Sequence, residues 1–440
     1  MFEWSETDLM IRDAVRGFIA KEIRPNLDAL ESGEIAPYPI IRKLFAEFGI
    51  DAMSRDSVEK MLAKERARDG AGAAAGHASG GGAAGSSSPR GDGGKDDDDE
   101  EGGSGDALSG RDSMMAVVIS ELAGACMGLV SALGVSLGLG ATTIASRGTL
   151  AQKERWLPGI MTMEKVASWA ITEPDSGSDA FGGMRTYVRR DGDDYILNGR
   201  KTFITNGPYA DVMIVYAKLD EGSGAGDADK RDRKVLTFVL DKGMDGLTQG
   251  PPFKKMGLHS SPTGELFFDD VRLGRDRLLG ESESGRGGDG RESARSSFTA
   301  ERIGVATMAL GIIEECRRLC IEYSRERTLW GQEIGRFQLI QLKLAKMEVA
   351  RMNVQNMVFT SIERARAGKP LSLAEASAMK LYSSEAATEV AMEAVQLFGG
   401  NGYMAEYRVE QLARDAKSLM IYAGSNEIQV THIAKGLLAR

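Results

Sequence analysis

The hydrophobic pattern of this chain changes period twice, so that helices are followed by strands and then by helices again. Apolar residues recur every three or four positions over residues 5–66, with breaks at Pro25 and Gly49, and helical sequence resumes over residues 113–163. Beyond the middle of the chain the pattern is again helical, and its apolar stripes occupy more than one side of a helix. Such stripes favour a helical core and also suit a subunit interface. This α–β–α order restricts the chain to few architectures.

The middle segment begins at Ser168 and is rich in short apolar and β-branched runs. Asn198-Gly199 and Asn206-Gly207 are pairs that commonly form tight turns, so we expect them to separate strands. The predicted strands are 195–197, 201–205, 212–217, 235–240 and 265–271. They predict a compact β domain.

Three polar stretches interrupt these elements. Residues 69–110 consist mainly of Gly, Ala, Ser and Asp, and this composition predicts disorder because little apolar surface can be buried. Its acidic run is typical of a solvated loop, although it could also dock a basic partner. Residues 221–233 and 280–297 are shorter insertions. The predicted domains are an α domain over 1–166, a β domain over 167–280, and an α domain over 281–440 that is flexible at 281–297.

Composition excludes several classes of function. The net charge of -9 argues against nucleic acid as the main partner. The three cysteines and three histidines have no metal-ligand spacing, so we predict packing roles and no metal site. The odd, sparse cysteine count and the lack of a secretory leader favour the cytoplasm. Residues 122–146 are uncharged and long enough to span a bilayer, but their Gly, Ala, Ser and Thr content favours buried helices.

Five motifs carry the functional information, and they occur in a fixed order. The first is the loop Ser168–Asp179, which offers hydroxyls, backbone N–H groups and an aromatic side chain to a phosphate-bearing ligand or a flavin. The others are 201–207, 396–403, 414–417 and 422–427. Together with the α–β–α layout, these motifs strongly resemble the acyl-CoA dehydrogenase family. The resemblance covers nearly the whole chain except the three polar stretches.

This resemblance implies an α+β fold with an N-terminal helical domain, a β-barrel-like middle domain and a C-terminal four-helix bundle. It also implies FAD as cofactor, electron-transfer flavoprotein as acceptor, and a homotetramer built as a dimer of dimers. The residues implied to hold the flavin are Trp169, Ile171, Thr172, Gly177, Ser178, Phe203, Thr205, Ser425 and Glu427. Those implied to hold the adenine end across a subunit boundary are Arg327, Trp330, Phe337, Gln338, Gln396, Gly399 and Gly400.

The same resemblance implies that Ser178, Arg302, Tyr323, Ala423 and Gly424 contact the thioester substrate. Each of these segments also has an ordinary structural explanation. The Gly-rich segment 399–402 could be a helix C-cap, and Arg302 could form an ion pair at a helix start.

The catalytic base is predicted from a departure within this resemblance. Many members carry Glu after the Tyr that matches Tyr422, but this chain has Ala423 there. A smaller branch, similar to isovaleryl-CoA and long-chain acyl-CoA dehydrogenases, places its Glu at the position of Glu301. We therefore expect Glu301 to abstract the α-proton. The alternative is that Glu301 merely complements the dipole of a helix capped by Thr299.

Two other functions remain open on the sequence. An oxygen-using relative of the same fold, an acyl-CoA oxidase or a flavin monooxygenase, would release peroxide. A catalytically weak structural subunit of a hetero-oligomer would have lost its base with the change at Ala423.

Overall fold

The N-terminal third of the protein is helical, as the apolar periodicity predicts. The computed structural model describes residues 3–78, 104–222, 231–284 and 288–439, apart from the side chains of 69–78, 104–111, 293 and 296. The helices are α1 (Glu6–Phe18), α2 (Leu27–Ser32), α3 (Tyr38–Glu47), α4 (Ile50–Ala78), α5 (Ser104–Gly134), α6 (Thr142–Arg147) and α7 (Leu150–Met161). Capping boxes fix the starts of α1 and α7, where Ser5 and Thr149 accept hydrogen bonds from the third backbone N–H of each helix.

The predicted helix end at Pro25 and the predicted disordered stretch 69–110 both differ from the structure. Regular α-helix stops at Phe18, and Pro25 lies in the 3-10 turn Arg24–Asn26, which tolerates its fixed φ and missing N–H. Both ends of the stretch predicted to be disordered are helical, since α4 continues to Ala78 and α5 begins at Ser104. Alanine, abundant at 73–75, has the highest helix propensity and lets α4 extend. The rest of that stretch, 79–103, lies outside the described residues.

The middle domain is a curled seven-stranded sheet. Its strands are β1 (Ala167–Ala170), β2 (Tyr187–Asp191), β3 (Asp194–Thr205), β4 (Val212–Asp220), β5 (Val235–Asp241), β6 (Leu247–Gln249) and β7 (Thr263–Leu273). β4 pairs with β1 and β2 in parallel along one edge and with β5 antiparallel along the other. The sheet continues antiparallel from β2 through β3 and β7 to β6.

The pair Asn198-Gly199 does not separate two strands, contrary to the prediction. β3 passes through it with a register shift against β7 between Leu197 and Gly199. Gly199 has φ +137, and a Cβ there would lie 2.7 Å from Thr186 Cα, so only glycine lets these two strands approach so closely. Asn206, by contrast, adopts φ 65 in a turn after β3, as predicted.

The C-terminal domain is helical throughout its described length, apart from a short hairpin. Its elements are α8 (Gly290–Glu326), β8 (Thr328–Leu329), β9 (Gln332–Glu333), α9 (Gln338–Arg366), α10 (Leu373–Phe398), α11 (Val409–Ser418) and α12 (Asn426–Leu438). α8 packs against both α9 and α10, and α10 packs against α12. The predicted order of an α, a β and an α domain is therefore confirmed.

Helix α8 begins earlier than predicted. Asp289 is its N-cap, and its side chain accepts a hydrogen bond from Arg291 N–H. Part of the segment predicted to be flexible, 290–297, is therefore the start of this helix. Thr299 is not a cap, and Glu301 lies about three turns inside α8. The explanation of Glu301 as a first-turn acid is consequently wrong.

The core joins the two helical domains through close contact of α5 with α8. A Cβ on Gly311 would lie 2.0 Å from the Ser120 carbonyl oxygen, so glycine is required for this backbone approach. Among the described residues, one helical stretch, Asp112–Arg147, is apolar and long enough to cross a membrane by length and composition. Because 72% of its most apolar window is buried inside the protein, it has the character of a core helix. This packing fixes the position of α8 and therefore of Glu301.

Candidate active site

Glu301 projects from the buried side of α8 among other charged and aromatic groups. The side chain is partly buried. Burial raises the pKa of Glu301 to about 7, although the positive charges of Arg302 and Lys380 act in the opposite direction. The carboxyl is thus close to half-ionised at neutral pH, which suits a general base.

The turn between α11 and α12 lies next to Glu301 and contains the motif Tyr422–Glu427. Burial raises the pKa of the Tyr422 hydroxyl, and the nearby Glu301 carboxylate raises it further, so the two side chains share one environment. Ala423 adopts φ 57 and Gly424 φ 81. The left-handed conformation is costly for alanine, and such strain persists only where the surroundings impose it.

In this turn the carbonyl groups of Ala423 and Gly424 are bonded, whereas the backbone N–H groups of Ala423, Gly424 and Ser425 are not, within the described residues. Gln429 Nε2 donates to the carbonyl oxygens of Ala423 (3.1 Å) and Gly424 (2.7 Å). Within the part of the chain that the structure describes, the backbone N–H of Ala423 forms no hydrogen bond. It is therefore available to a ligand carbonyl beside Glu301.

Arg302 lies behind this turn and is almost fully buried, at 2% exposure. It donates to Ser377 Oγ at 2.9 Å and lies 3.4 Å from His432 Nδ1, so it braces α8 against α10 and α12. The structure brings three predicted substrate residues, Arg302, Ala423 and Gly424, together with Glu301.

Ser178 and the predicted flavin loop lie on the β domain, where a buried ion pair shapes the loop. Lys201 Nζ is 2.8 Å from a Glu173 carboxylate oxygen, and the side chains are 0% and 4% exposed. Glu173 also accepts backbone hydrogen bonds from Arg185 (2.6 Å) and Thr186 (3.0 Å). These bonds hold the loop against β3 and leave Ser178 at the surface.

An exposed aromatic side chain accompanies this loop. Phe203 has φ 57 and is 66% exposed, with Phe253 at a ring distance of 5.8 Å. The N–H of Thr202 donates to the Thr172 carbonyl oxygen at 2.9 Å, which places Thr172 beside Phe203. Trp169 is fixed by a 3.1 Å hydrogen bond from its ring N–H to the Tyr216 hydroxyl. Of the remaining predicted flavin residues, Ile171 is buried, Thr205 partly buried and Gly177 exposed.

Two further predicted flavin contacts, Ser425 and Glu427, lie at the start of α12. Ser425 is its N-cap residue, and the pKa of the exposed Glu427 is lowered by its own backbone N–H and by the Ser425 hydroxyl. Glu427 therefore remains ionised and is a poorer base than Glu301.

The predicted adenine-end residues form a separate group at the far end of the C-terminal domain. Trp330, 88% exposed in the β8–β9 turn, contacts Phe337 edge-on at 5.5 Å. Arg327, Gln338, Gln396, Gly399 and Gly400 are also exposed. Tyr323 stacks on Phe398 at 4.0 Å in this group. It lies roughly 33 Å along α8 from Glu301 at 1.5 Å per residue, so it is not assembled with the other predicted substrate residues.

The sequence reasoning missed the polar side chains that support the site. Glu173 and Lys201 lie within the sequence motifs but were given no role, and Lys380 and Gln429 were not among the predicted site residues. Lys380 could have been found, because it occupies the buried side of α10 among small residues such as Ala376, Ser383 and Ala387. A lysine at such a position needs a buried partner.

Comparison with known proteins identifies this arrangement. Sequence profiles of the acyl-CoA dehydrogenase N-terminal, middle and C-terminal domains match residues 96–164, 168–271 and 288–438. A short-chain-specific acyl-CoA dehydrogenase of Megasphaera elsdenii is 37% identical over 73% of this chain and 81% of its own length.

Solved structures agree. The three-dimensional structure of butyryl-CoA dehydrogenase from Megasphaera elsdenii has a TM-score of 0.79 and 31% identity, with all of both chains covered. A glutaryl-CoA dehydrogenase from Mycobacterium smegmatis in complex with FADH2 has a TM-score of 0.78 and 25% identity, covering 99% of this chain and 96% of its own. The fold and these matches define an FAD-dependent oxidoreductase that acts on acyl-CoA. The chain belongs to the acyl-CoA dehydrogenase family.

The residues of the loop and β3 fit this cofactor. An isoalloxazine ring needs an aromatic surface and donors along its polar edge. Phe203 supplies an exposed ring, Thr172 lies beside it, and Ser178 and Thr205 carry further hydroxyl groups on the same loop and strand. The described residues contain no group of three or more His, Cys, Asp or Glu side chains that could hold a metal ion.

Proposed function

We propose that this protein oxidises an acyl-CoA thioester to the trans-2-enoyl-CoA, with Glu301 as the catalytic base. The observation that carries the proposal is the position of Glu301 beside the Tyr422–Gly424 turn, with a pKa raised to about 7 by burial. Ala423 has no acidic side chain, so the carboxylate that the reaction needs must come from another element. Glu301 on α8 supplies it.

The reaction removes one hydrogen from each of two adjacent carbons. Glu301 takes the α-carbon proton, and the electron pair of that C–H bond forms the new double bond as the β-carbon loses a hydride. The hydride acceptor would be supplied by FAD when it is bound. The N–H of Ala423 is the proposed donor to the thioester carbonyl, where negative charge develops as the α-proton leaves. Thr172, Ser178, Phe203 and Thr205 are the proposed residues that hold the flavin edge in place.

The position of the base favours a substrate class. Glu301 on α8 corresponds to the branch that resembles isovaleryl-CoA and long-chain acyl-CoA dehydrogenases. We therefore propose a branched or long acyl chain. If this assignment were wrong, short-chain acyl-CoAs would be oxidised faster than branched or long-chain acyl-CoAs.

The proposed electron acceptor is electron-transfer flavoprotein, and the proposed assembly is a homotetramer. Exposure of the adenine-end group supports the assembly, because the exposed side chains of Trp330 and Arg327 can contact a neighbouring copy. A neighbouring copy would bring such a group to a cofactor held at Phe203.

Anaerobic mixing with acyl-CoA tests this function. The FAD-loaded protein is mixed with short, branched and long acyl-CoAs, and loss of flavin absorbance is followed. We expect rapid bleaching with branched or long chains. Absence of bleaching with every chain would refute the dehydrogenase assignment, and steady peroxide release in air would instead indicate an oxidase.

A further inference from the structure

The ammonium group of Lys380 is buried beneath the turn that follows Tyr422. Lys380 is 0% exposed, and its Nζ donates to the Gly424 carbonyl oxygen and to Asn426 Oδ1, both at 2.9 Å. Asn426 Oδ1 also accepts a hydrogen bond from Ser384 at 3.2 Å. Lys380 therefore links α10 both to the turn and to the first residue of α12.

Lys380 and Gln429 together bind both carbonyl groups of the strained part of the turn. Gln429 donates to Ala423 and Gly424, and Lys380 adds a second donor on Gly424. Because each peptide unit is planar, these bonds fix two consecutive peptide planes. The N–H of Ala423 belongs to the preceding peptide plane, and the backbone conformation of Ala423, with φ at 57°, orients that plane relative to the two fixed ones. A left-handed alanine is strained and persists only where such restraints hold it.

We propose that Lys380 is a positioning residue for thioester activation, holding the Ala423–Gly424 turn so that the Ala423 N–H meets the thioester carbonyl. The inference rests on the proposed function. Lys380 does not touch the substrate. It acts through the carbonyl oxygen of Gly424, which makes the turn a rigid donor rather than a flexible loop.

The charge of Lys380 gives this role an electrostatic consequence. Burial and the neighbouring Arg302 lower the pKa of Lys380 to about 8, while Glu301, Glu427 and Glu385 act in the opposite direction. Conversely, the Lys380 charge lowers the pKa of Glu301. Removing the ammonium group should therefore both loosen the turn and shift the titration of Glu301 to higher pH.

The test compares Lys380→Met with wild-type protein and with Lys60→Met, which removes an exposed lysine of α4 paired only with Asp56. Two measurements are made on FAD-loaded protein. The first is the apparent pKa for enolisation of bound acetoacetyl-CoA, read by absorbance, which reports how strongly the thioester carbonyl is polarised. The second is the pH dependence of anaerobic bleaching by acyl-CoA.

For Lys380→Met we expect bleaching about 10–100-fold slower, because misplacing a reacting group has effects of this size. We also expect the enolisation pKa to rise by about one unit, as for a weakened oxyanion donor. The acid limb of the bleaching profile should move to higher pH. Lys60→Met should match the wild type in all three respects.

Lys380→Gln covers the case in which the methionine variant does not fold. Its amide can still donate to Gly424, so we expect an intermediate enolisation pKa and the same shift of the acid limb. Unchanged enolisation and an unchanged pH profile in a folded, FAD-loaded variant would overturn the role of Lys380. Failure of the wild type itself to bleach would instead overturn the proposed function.

Discussion

At the scale of single residues, the proposed chemistry depends on the environment of Glu301. Burial outweighs two neighbouring cations, Arg302 and Lys380, and raises the pKa of its carboxyl to about 7. A base with a pKa near the working pH combines a useful ionised fraction with useful basicity. The same burial makes the ionised carboxylate costly to the folded state.

The first prediction concerns pH. The value of kcat/KM should rise with pH through about 7 and level off above it, because only the ionised form of Glu301 can accept the α-proton. Initial rates with an artificial electron acceptor between pH 5.5 and 8 measure this. A profile that is flat across the whole interval would exclude Glu301 as the titrating base.

The second prediction concerns stability. The pKa of Glu301 is about 7 in the folded protein against 4.5 for an ordinary glutamate, so the folded state binds more protons between these values and loses stability as pH rises. Glu301→Gln should unfold at nearly the same temperature as wild type near pH 4.5. At pH 8 it should be more stable by roughly 1–3 kcal/mol, after allowance for partial exposure. Differential scanning calorimetry at both pH values checks this, and a less stable variant at pH 8 would contradict it.

The proposed role of Glu301 follows from the sequence, but the side chains that surround Glu301 could not be predicted from it. Because Ala423 follows Tyr422, the catalytic glutamate was expected elsewhere in the chain. Helix α8 does place Glu301 beside the turn that contains Tyr422. The supposed cap at Thr299 was wrong because local sequence cannot show that Asp289, ten residues earlier, starts the helix. Lys380 and Gln429 act across sequence separations of 44 and 5 residues on the Gly424 carbonyl, and such contacts appear only in the folded chain.

At the scale of elements, the Glu173–Lys201 pair joins the loop after β1 to β3. Burial lowers the pKa of Lys201 to about 8, and Glu173 opposes this shift. The pKa of Glu173 is lowered overall, since Lys201 and the Arg185 and Thr186 N–H groups outweigh its burial. Both groups are therefore charged at neutral pH, and each depends on the other for compensation.

The third prediction follows from that dependence. Lys201→Met leaves a buried carboxylate without its cation and should destabilise the protein by about 3–5 kcal/mol, with loss of FAD. The double variant Glu173→Gln, Lys201→Met should recover part of the stability, because no buried charge remains. Urea denaturation and flavin content measure both effects. If Glu173→Gln lowers the stability of the Lys201→Met variant by as much as it lowers that of the wild type, the two groups act independently.

Element boundaries were predicted less well than element types. The period of the apolar residues correctly predicted helices, then strands, then helices. The buried face of each element is encoded in the sequence of that element alone. The period could not show that β3 continues through Asn198-Gly199, since the close approach of Thr186, just before β2, to Gly199 appears only in the folded chain. The strands β1, β2 and β6 were missed, since they have three to five residues each and show little alternation.

At the scale of the whole molecule, helix α9 carries an apolar surface that the described part of its own chain leaves exposed. Leu339, Leu342, Val349 and Met352 of α9 are 75%, 54%, 58% and 50% exposed. Met347 and Val354 on the opposite side of the same helix are buried in the core. A helix that is apolar on two sides is consistent with the proposed homotetramer.

The fourth prediction tests that assembly. The double variant Leu342→Glu, Val349→Glu should lower the molar mass in solution, because two carboxylates cannot be desolvated in an apolar interface. It should also weaken FAD retention if a neighbouring copy holds the adenine end. Met10→Glu, which changes an equally apolar residue 73% exposed on α1, is the matched control. Light scattering that shows the same mass for all three proteins would rule out this face as the interface.

Anaerobic bleaching of Glu301→Gln with the best acyl-CoA substrate is the most direct test of Glu301 as the catalytic base. Glu292→Gln, an exposed glutamate on the first turn of α8, is the matched control. The account predicts that Glu301→Gln retains FAD and binds acyl-CoA but bleaches about 10²–10⁴-fold more slowly, as expected for loss of a general base. Glu292→Gln should bleach at the wild-type rate. Bleaching of FAD-loaded Glu301→Gln as fast as wild type would contradict the account.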